Sequence, residues 1–206
     1  LEQARSYFEA VLDEDASFDL AFAKLYAVSV NTQSFETFLA RLSQRVELEP
    51  TRYFTRNLLA QYHFYYGNAE QARLHYDVLL KSAPPETQYA IYNRLAILTL
   101  SSDPEKSLAL ATEAYKRNPT NADVLHTYGW VLTVNNKAQE ALPILRDASV
   151  RDATSLPLQY HLAYTLANIG NHVEAKRILI ALLKKDEAFA QKRQAQDLLT
   201  ELNSAV

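Results

Sequence analysis

The 206-residue chain has a net charge of -3, 48% hydrophobic and 22% charged residues, a composition suited to folding around cores rather than to disorder. That charge argues against a broad nucleic-acid footprint, and no run of apolar residues is long enough to span a membrane. There is no cysteine, so neither a disulfide framework nor a thiolate metal site is available.

The chain opens on "LEQARSYFEAVL", an amphipathic helix. With no methionine anywhere, the sequence is expected to be a piece of a longer chain. From there it repeats itself. Pro50, Pro84, Pro119, Ala153 and Glu187 are spaced 34, 35, 34 and 34 residues apart, with Ala16 34 residues before the first. Leu25, Leu59, Leu95, Tyr128 and Leu162 share one position, and the residue after each (Tyr26, Ala60, Ala96, Gly129, Ala163) is mostly small. Ala4, Phe38, Ala72, Ser107, Ala141 and Ala175 share another. Such a period, with small residues at two fixed places, describes a helical hairpin stacked many times.

Helix signals follow the same register along the chain. Phe38 stands where a small residue is expected, which predicts spread helices in that hairpin. Gly67 and Gly170 end first helices, where a left-handed backbone is needed, and Asn136 takes that place between them. Asn68, Asn121 and Asn171 are expected N-caps, as are Asp103 ahead of Pro104-Glu105 and Ser155 ahead of Leu156-Pro157. Gly129 occupies a close-packing position instead. Pro143 falls beyond the first turn of a second helix and costs it a hydrogen bond. Tyr66, Tyr76, Phe8 and Tyr115 are expected to pack.

The pattern resembles the tetratricopeptide repeat, through Leu59-Ala60, Gly67, Ala72, Tyr76 and Pro84 in one unit and Tyr128-Gly129, Leu132, Ala141, Leu145 and Ala148 in another. The resemblance implies an all-α, right-handed α-solenoid of about twelve helices, a single array over 1–206. It divides the chain into a second helix at 1–18, full repeats at 19–52, 53–86, 87–121, 122–155 and 156–189, and a capping segment at 190–206 whose helix covers 190–204. The run from "YGWVLTVNNKAQEALPILRDA" to "QAQDLLTEL" is also similar to the C-terminal end of bacterial tetratricopeptide lipoproteins of exopolysaccharide and PEP-CTERM systems. That similarity implies a periplasmic or outer-membrane-associated protein.

In such arrays the first helices line a concave groove. The family's groove positions fall on Phe54, Asn57, Gln61, Phe64 and Tyr65, on Asn93, Ile97 and Leu100, on His126, Trp130 and Thr133, and on Tyr160, Tyr164 and Asn168. Aromatic faces interleaved with amides suit a peptide or a partner helix. Trp130 is open to two readings, packing in the seam between repeats or contact with a ligand. The positions at which related domains clamp a terminal carboxylate read Ala23, Ala27, Leu58, Ala90 and Arg94, so that clamp is not expected.

His126 and His161 come from neighbouring first helices and can approach, but no histidines stand i, i+4 as in a helical zinc site. They read as surface or groove residues. No nucleophile stands beside a base, and three glycines cannot build a phosphate cradle. The expectation is a non-catalytic scaffold without cofactor or metal that binds a protein or peptide partner, within a larger envelope protein linked to exopolysaccharide assembly or secretion. An RNA-binding helical repeat is the alternative, opposed by the acid-leaning charge and varied groove residues; no nucleic acid is expected. Self-association into a homo-oligomer through the N-terminal helix is a further one.

Overall fold

The computed structural model describes residues 2–15, 18–29 and 35–204. Twelve α-helices and no strand are found among the described residues. The expected period mark Ala16 lies outside them; Pro50, Pro84, Pro119, Ala153 and Glu187 all fall between helices. The chain divides into two compact units, Leu1–Pro84 and Pro85–Val206.

The first unit holds α1 (Glu2–Glu14), α2 (Asp19–Ser29), α3 (Phe35–Leu48), α4 (Tyr53–Tyr65) and α5 (Ala69–Ser82). Leu12, Phe22, Leu25, Phe38, Leu42, Val46 and Leu59 form its core. Phe38 is buried with its ring 5.9 Å from Tyr26, and α2 packs less closely on α3 than on α1, as a bulky residue at a small-residue place predicts. Two arginines bridge elements that do not follow one another: Arg41 of α3 reaches Asp13 of α1 at 2.8 Å, and Arg52, the N-cap of α4, reaches Asp19 of α2 at 2.8 Å as well as Glu49 in the preceding loop at 3.0 Å. Tyr76 is wholly buried, but Tyr66 does not pack as expected. It is the C-cap of α4, 56% exposed, with its ring 4.8 Å from Tyr62; a residue just past a helix end no longer points along the buried stripe.

The second unit holds α6 (Pro85–Thr99), α7 (Pro104–Arg117), α8 (Ala122–Val134), α9 (Ala138–Arg151), α10 (Leu156–Asn168), α11 (His172–Leu183) and α12 (Lys192–Ser204). Hairpins α6/α7, α8/α9 and α10/α11 stack in order, α8 and α10 also touch the first helix of the preceding hairpin, and α12 packs on α11 and α10. The small residues at the repeat positions, Ala96, Ser107, Ala141, Ala163 and Ala175, are wholly buried. The Ser107 hydroxyl donates to the Ala96 carbonyl at 2.8 Å, so a polar residue at an alanine place is satisfied across the hairpin. Tyr115 stacks on Tyr128 at 4.7 Å, which packs α7 against α8.

The local signals have their expected geometry. Asn68, Asp103, Asn121, Ser155 and Asn171 each accept a hydrogen bond from the backbone N–H three residues on. Gly67 and Gly170 have φ of +79° and +83°, and Asn136 shares the conformation at 61°. Helix α9 continues through Pro143.

Candidate functional site

Within the first unit, α4 carries five of the expected groove residues. Phe54, Asn57, Gln61 and Phe64 are half-buried and Tyr65 is exposed. Phe54 also packs against the core. Behind them the His63 and His75 rings stack at 5.6 Å with 2° between their planes. The Arg56 Nη1 stands 3.1 Å from His75 Nδ1, which accepts from it. Burial first, then Arg56 and His63, push His75 down to about 4. The Arg56 guanidinium occupies the Nδ1 edge of His75 and brings a positive charge beside both rings, so the pair does not suit a cation, while His63 Nδ1 is buried without a hydrogen-bond partner.

Within the second unit, Ile97 of α6, Leu100 just past its end, and His126 and Trp130 of α8 surround one pocket of about 270 Å³. Thr127, Val131, His161 and Gln191 complete its lining. Trp130 lies flat on His161, ring centroids 3.8 Å apart and planes 4° apart, while Tyr164 meets it edge-on at 5.5 Å. The indole is thus half in the seam between α8 and α10 and half on the pocket wall.

The His126 Nε2 and His161 Nδ1 atoms stand 2.8 Å apart, one ring donating to the other. Burial holds both imidazoles below their ordinary value, and His126 lowers His161 further; Asp123 and Asp152 oppose the shift at His126. Two neutral rings sharing one hydrogen bond are the arrangement burial favours, because a charge there would be poorly solvated. Among the described residues, no group of three His, Asp or Glu is placed to hold a metal ion, and none of the residues lining this pocket is cationic.

The remaining expected site residues are placed differently. Tyr160 is buried, its ring 6.1 Å from Tyr164. Thr133 is also buried, its hydroxyl 2.8 Å from that of Thr165 and within reach of the Gly129 carbonyl. Asn168 is exposed near the end of α10. Asn93 is buried and lines a separate hollow of about 100 Å³ with Tyr89, Ala90, Arg94, Asn121, Asp123 and Val124. Four members of the larger pocket, Thr127, Val131, His161 and Gln191, are not among the projected groove positions. His161 stands one residue from the projected Tyr160, and Gln191 belongs to the lead into α12, where no repeat position predicts it.

No protein-family model matches the chain, and no curated protein matches it. Solved structures do. A structure of YrrB, described as a TPR protein with an unusual peptide-binding site, superposes with a TM-score of 0.66 at 14% identity, over 97% of this chain and 98% of that one. A tetratricopeptide repeat protein from Parabacteroides merdae ATCC 43184 gives a TM-score of 0.72 at 11% identity, over 97% and 79%. The human IFIT1 dimer with m7Gppp-AAAA gives 0.64 at 20% identity, over 91% of this chain and 47% of that one. The fold of this chain is the tetratricopeptide repeat fold.

Proposed function

We propose that this chain is an interaction scaffold that takes a peptide, or a segment of a partner protein, on the first-helix face of residues 85–206. The observation that carries the reading is the pocket bounded by Ile97, Leu100, Trp130 and Val131, with its polar wall of neutral imidazoles. Rigidly stacked helices present these side chains without loops to order, so a ligand is not charged for assembling the site. Seating one aliphatic or aromatic side chain there is worth about 1.5–3 kcal/mol, a modest contact that gains from repetition along a longer ligand. The peptide-binding site named for YrrB supports the same reading.

The narrower assignment to an envelope protein of exopolysaccharide assembly or secretion rests on the sequence similarity of the C-terminal repeats. RNA binding, which the IFIT1 likeness brings forward, is disfavoured by a pocket wall without cations. The test is a selection from a displayed peptide library with the chain and with its Trp130→Ala/Tyr164→Ala double variant. Ligands lost by the variant, whose far-UV circular dichroism stays helical, support the face; ligands retained at equal strength refute it.

A further inference from the structure

Among the described residues of the second unit, three buried side-chain oxygens lack a hydrogen-bond partner, Asn93 Oδ1, Thr99 Oγ1 and Gln191 Oε1, and of these only Asn93 and Gln191 belong to residues that line a hollow. Asn93 is only 5% exposed, and its Oδ1 is buried without a hydrogen-bond partner. The Gln191 Oε1, on a residue of the larger pocket's wall, is in the same state. A buried acceptor left open costs the fold free energy, and one that lines a hollow calls for a donor from outside.

The spacing of these groups is that of an extended chain. Asn93 and Ile97 share one face of α6 and Leu100 follows one residue past its end; at about 1.5 Å per residue, the step from the amide to the two apolar side chains is roughly 6–10 Å. An extended peptide covers that distance in about two or three residues at roughly 3.3 Å each. Both open atoms are acceptors, so the occupant must bring N–H groups, which a peptide main chain supplies at that interval. A carboxylate end brings none. Arg94 and Asp123 stand on the same hollow as Asn93 and offset one another in charge, which favours an uncharged segment.

We infer that this face binds an internal, uncharged, extended peptide segment at two points: a bulky apolar side chain beside Trp130, where Gln191 meets the main chain, and a main-chain N–H given to Asn93 two or three residues away. The inference rests on the scaffold reading above and narrows it to one class of ligand.

Trp130 is the only tryptophan, so its emission reports this pocket alone. The probe is acetyl-Ser-Ala-Ser-Leu-Ser-Ala-Ser-amide, compared with the same peptide carrying alanine for leucine, with a free carboxylate ending directly on the leucine, and with each main-chain N–H methylated in turn. The leucine peptide shifts the emission saturably, while the alanine and carboxylate forms bind several-fold more weakly. Methylating one amide two or three residues from leucine weakens binding about fivefold, the size of one net hydrogen bond. Asn93→Leu weakens it equally and raises the thermal midpoint, because the open acceptor is gone.

Affinity unchanged by Asn93→Leu and by every methylation overturns the two-point inference and leaves the scaffold reading intact. A weakened ligand accompanied by a lowered thermal midpoint makes Asn93 a packing residue, and overturns it too. Absence of any saturable shift with the leucine peptide also overturns it; the library selection with Trp130→Ala/Tyr164→Ala then decides the scaffold reading separately.

Discussion

A Cβ on Gly129 would stand 2.6 Å from Cγ and 2.8 Å from Cδ2 of Leu145, the residue that α9 lays across it. Leu145 is wholly buried and its Cγ lies near the root of the side chain, so it has little freedom to withdraw. Alanine gains about 1 kcal/mol of helix propensity over glycine, whereas overpacking a filled core costs about 1–3 kcal/mol. Gly129→Ala is therefore expected to lose about 1 kcal/mol and Gly129→Val more, measured as the shift in urea midpoint. Gly170 meets nothing within 4 Å but sits at φ +83°, so Gly170→Ala should lose about 1–2 kcal/mol through backbone strain alone. A gain of about 1 kcal/mol in Gly129→Ala, the helix propensity alone, would show that α8 and α9 separate freely.

The neutral histidine pair predicts acid sensitivity in a defined window. An unfolded histidine titrates near 6.5, whereas burial holds His126 to about 4 and His161 to about 3, the latter also lowered by His126. Below pH 6.5 the unfolded chain takes up protons that the folded one refuses, so stability present above that pH is lost as pH falls towards those values. Each histidine contributes a slope of up to about 1.4 kcal/mol per pH unit. Urea midpoints followed by Trp130 emission at pH 7.5, 6.0 and 5.0 stay above the range where most carboxylates protonate. The slope should flatten in part in His126→Gln/His161→Gln, His75 keeping its own share; an unaltered slope would assign the sensitivity elsewhere.

Asn171 caps α11 and links it to α9. Its Oδ1 accepts from the Glu174 N–H, its Nδ2 donates to Glu174 Oε2 at 2.8 Å, and the same carboxylate oxygen pairs with Arg146 at 2.7 Å. A cap satisfies a backbone donor that has no other partner, worth about 1 kcal/mol, while an exposed ion pair is worth about 0–1 kcal/mol and is screened by salt. Asn171→Ala is thus expected to cost more than Arg146→Ala, and only the Arg146→Ala effect should shrink in 0.5 M salt. The reverse ranking by urea denaturation would mean that the ion pair, rather than the cap, fixes the start of α11.

Repetition explains why the hairpins could be read from sequence. A small residue that must admit a neighbouring helix recurs in every full repeat but the first, as at Ala96, Ala141, Ala163 and Ala175, all wholly buried. The backbone reversals at Gly67, Asn136 and Gly170 recur in the same way. The pocket could be read only where it obeys that period. Ile97, Leu100, His126 and Trp130 sit on repeat positions, but one residue along a helix turns a side chain by about 100°, which separates buried Tyr160 from pocket-lining His161. Gln191 arrives from beyond the last repeat, and its place depends on how α12 packs on α10 and α11. Tyr66 was misplaced for a similar reason: the helical stripe that buries α4 ends at the helix end.

Pro143 is the sixth residue of α9 and is exposed, so its ring is not needed by the core. At that depth an ordinary residue would donate to the carbonyl four positions back, a bond proline cannot make; an interior proline costs a helix about 3 kcal/mol. Part of this is offset because proline also restricts the unfolded chain, an effect of about 0.4–1 kcal/mol, and the surrounding helix has already adjusted. Pro143→Ala is expected to stabilise the chain by about 1–2 kcal/mol in urea denaturation and to slow amide exchange in the first turns of α9. A loss of stability would mean that the shape proline imposes on α9 is what seats Leu145 against Gly129.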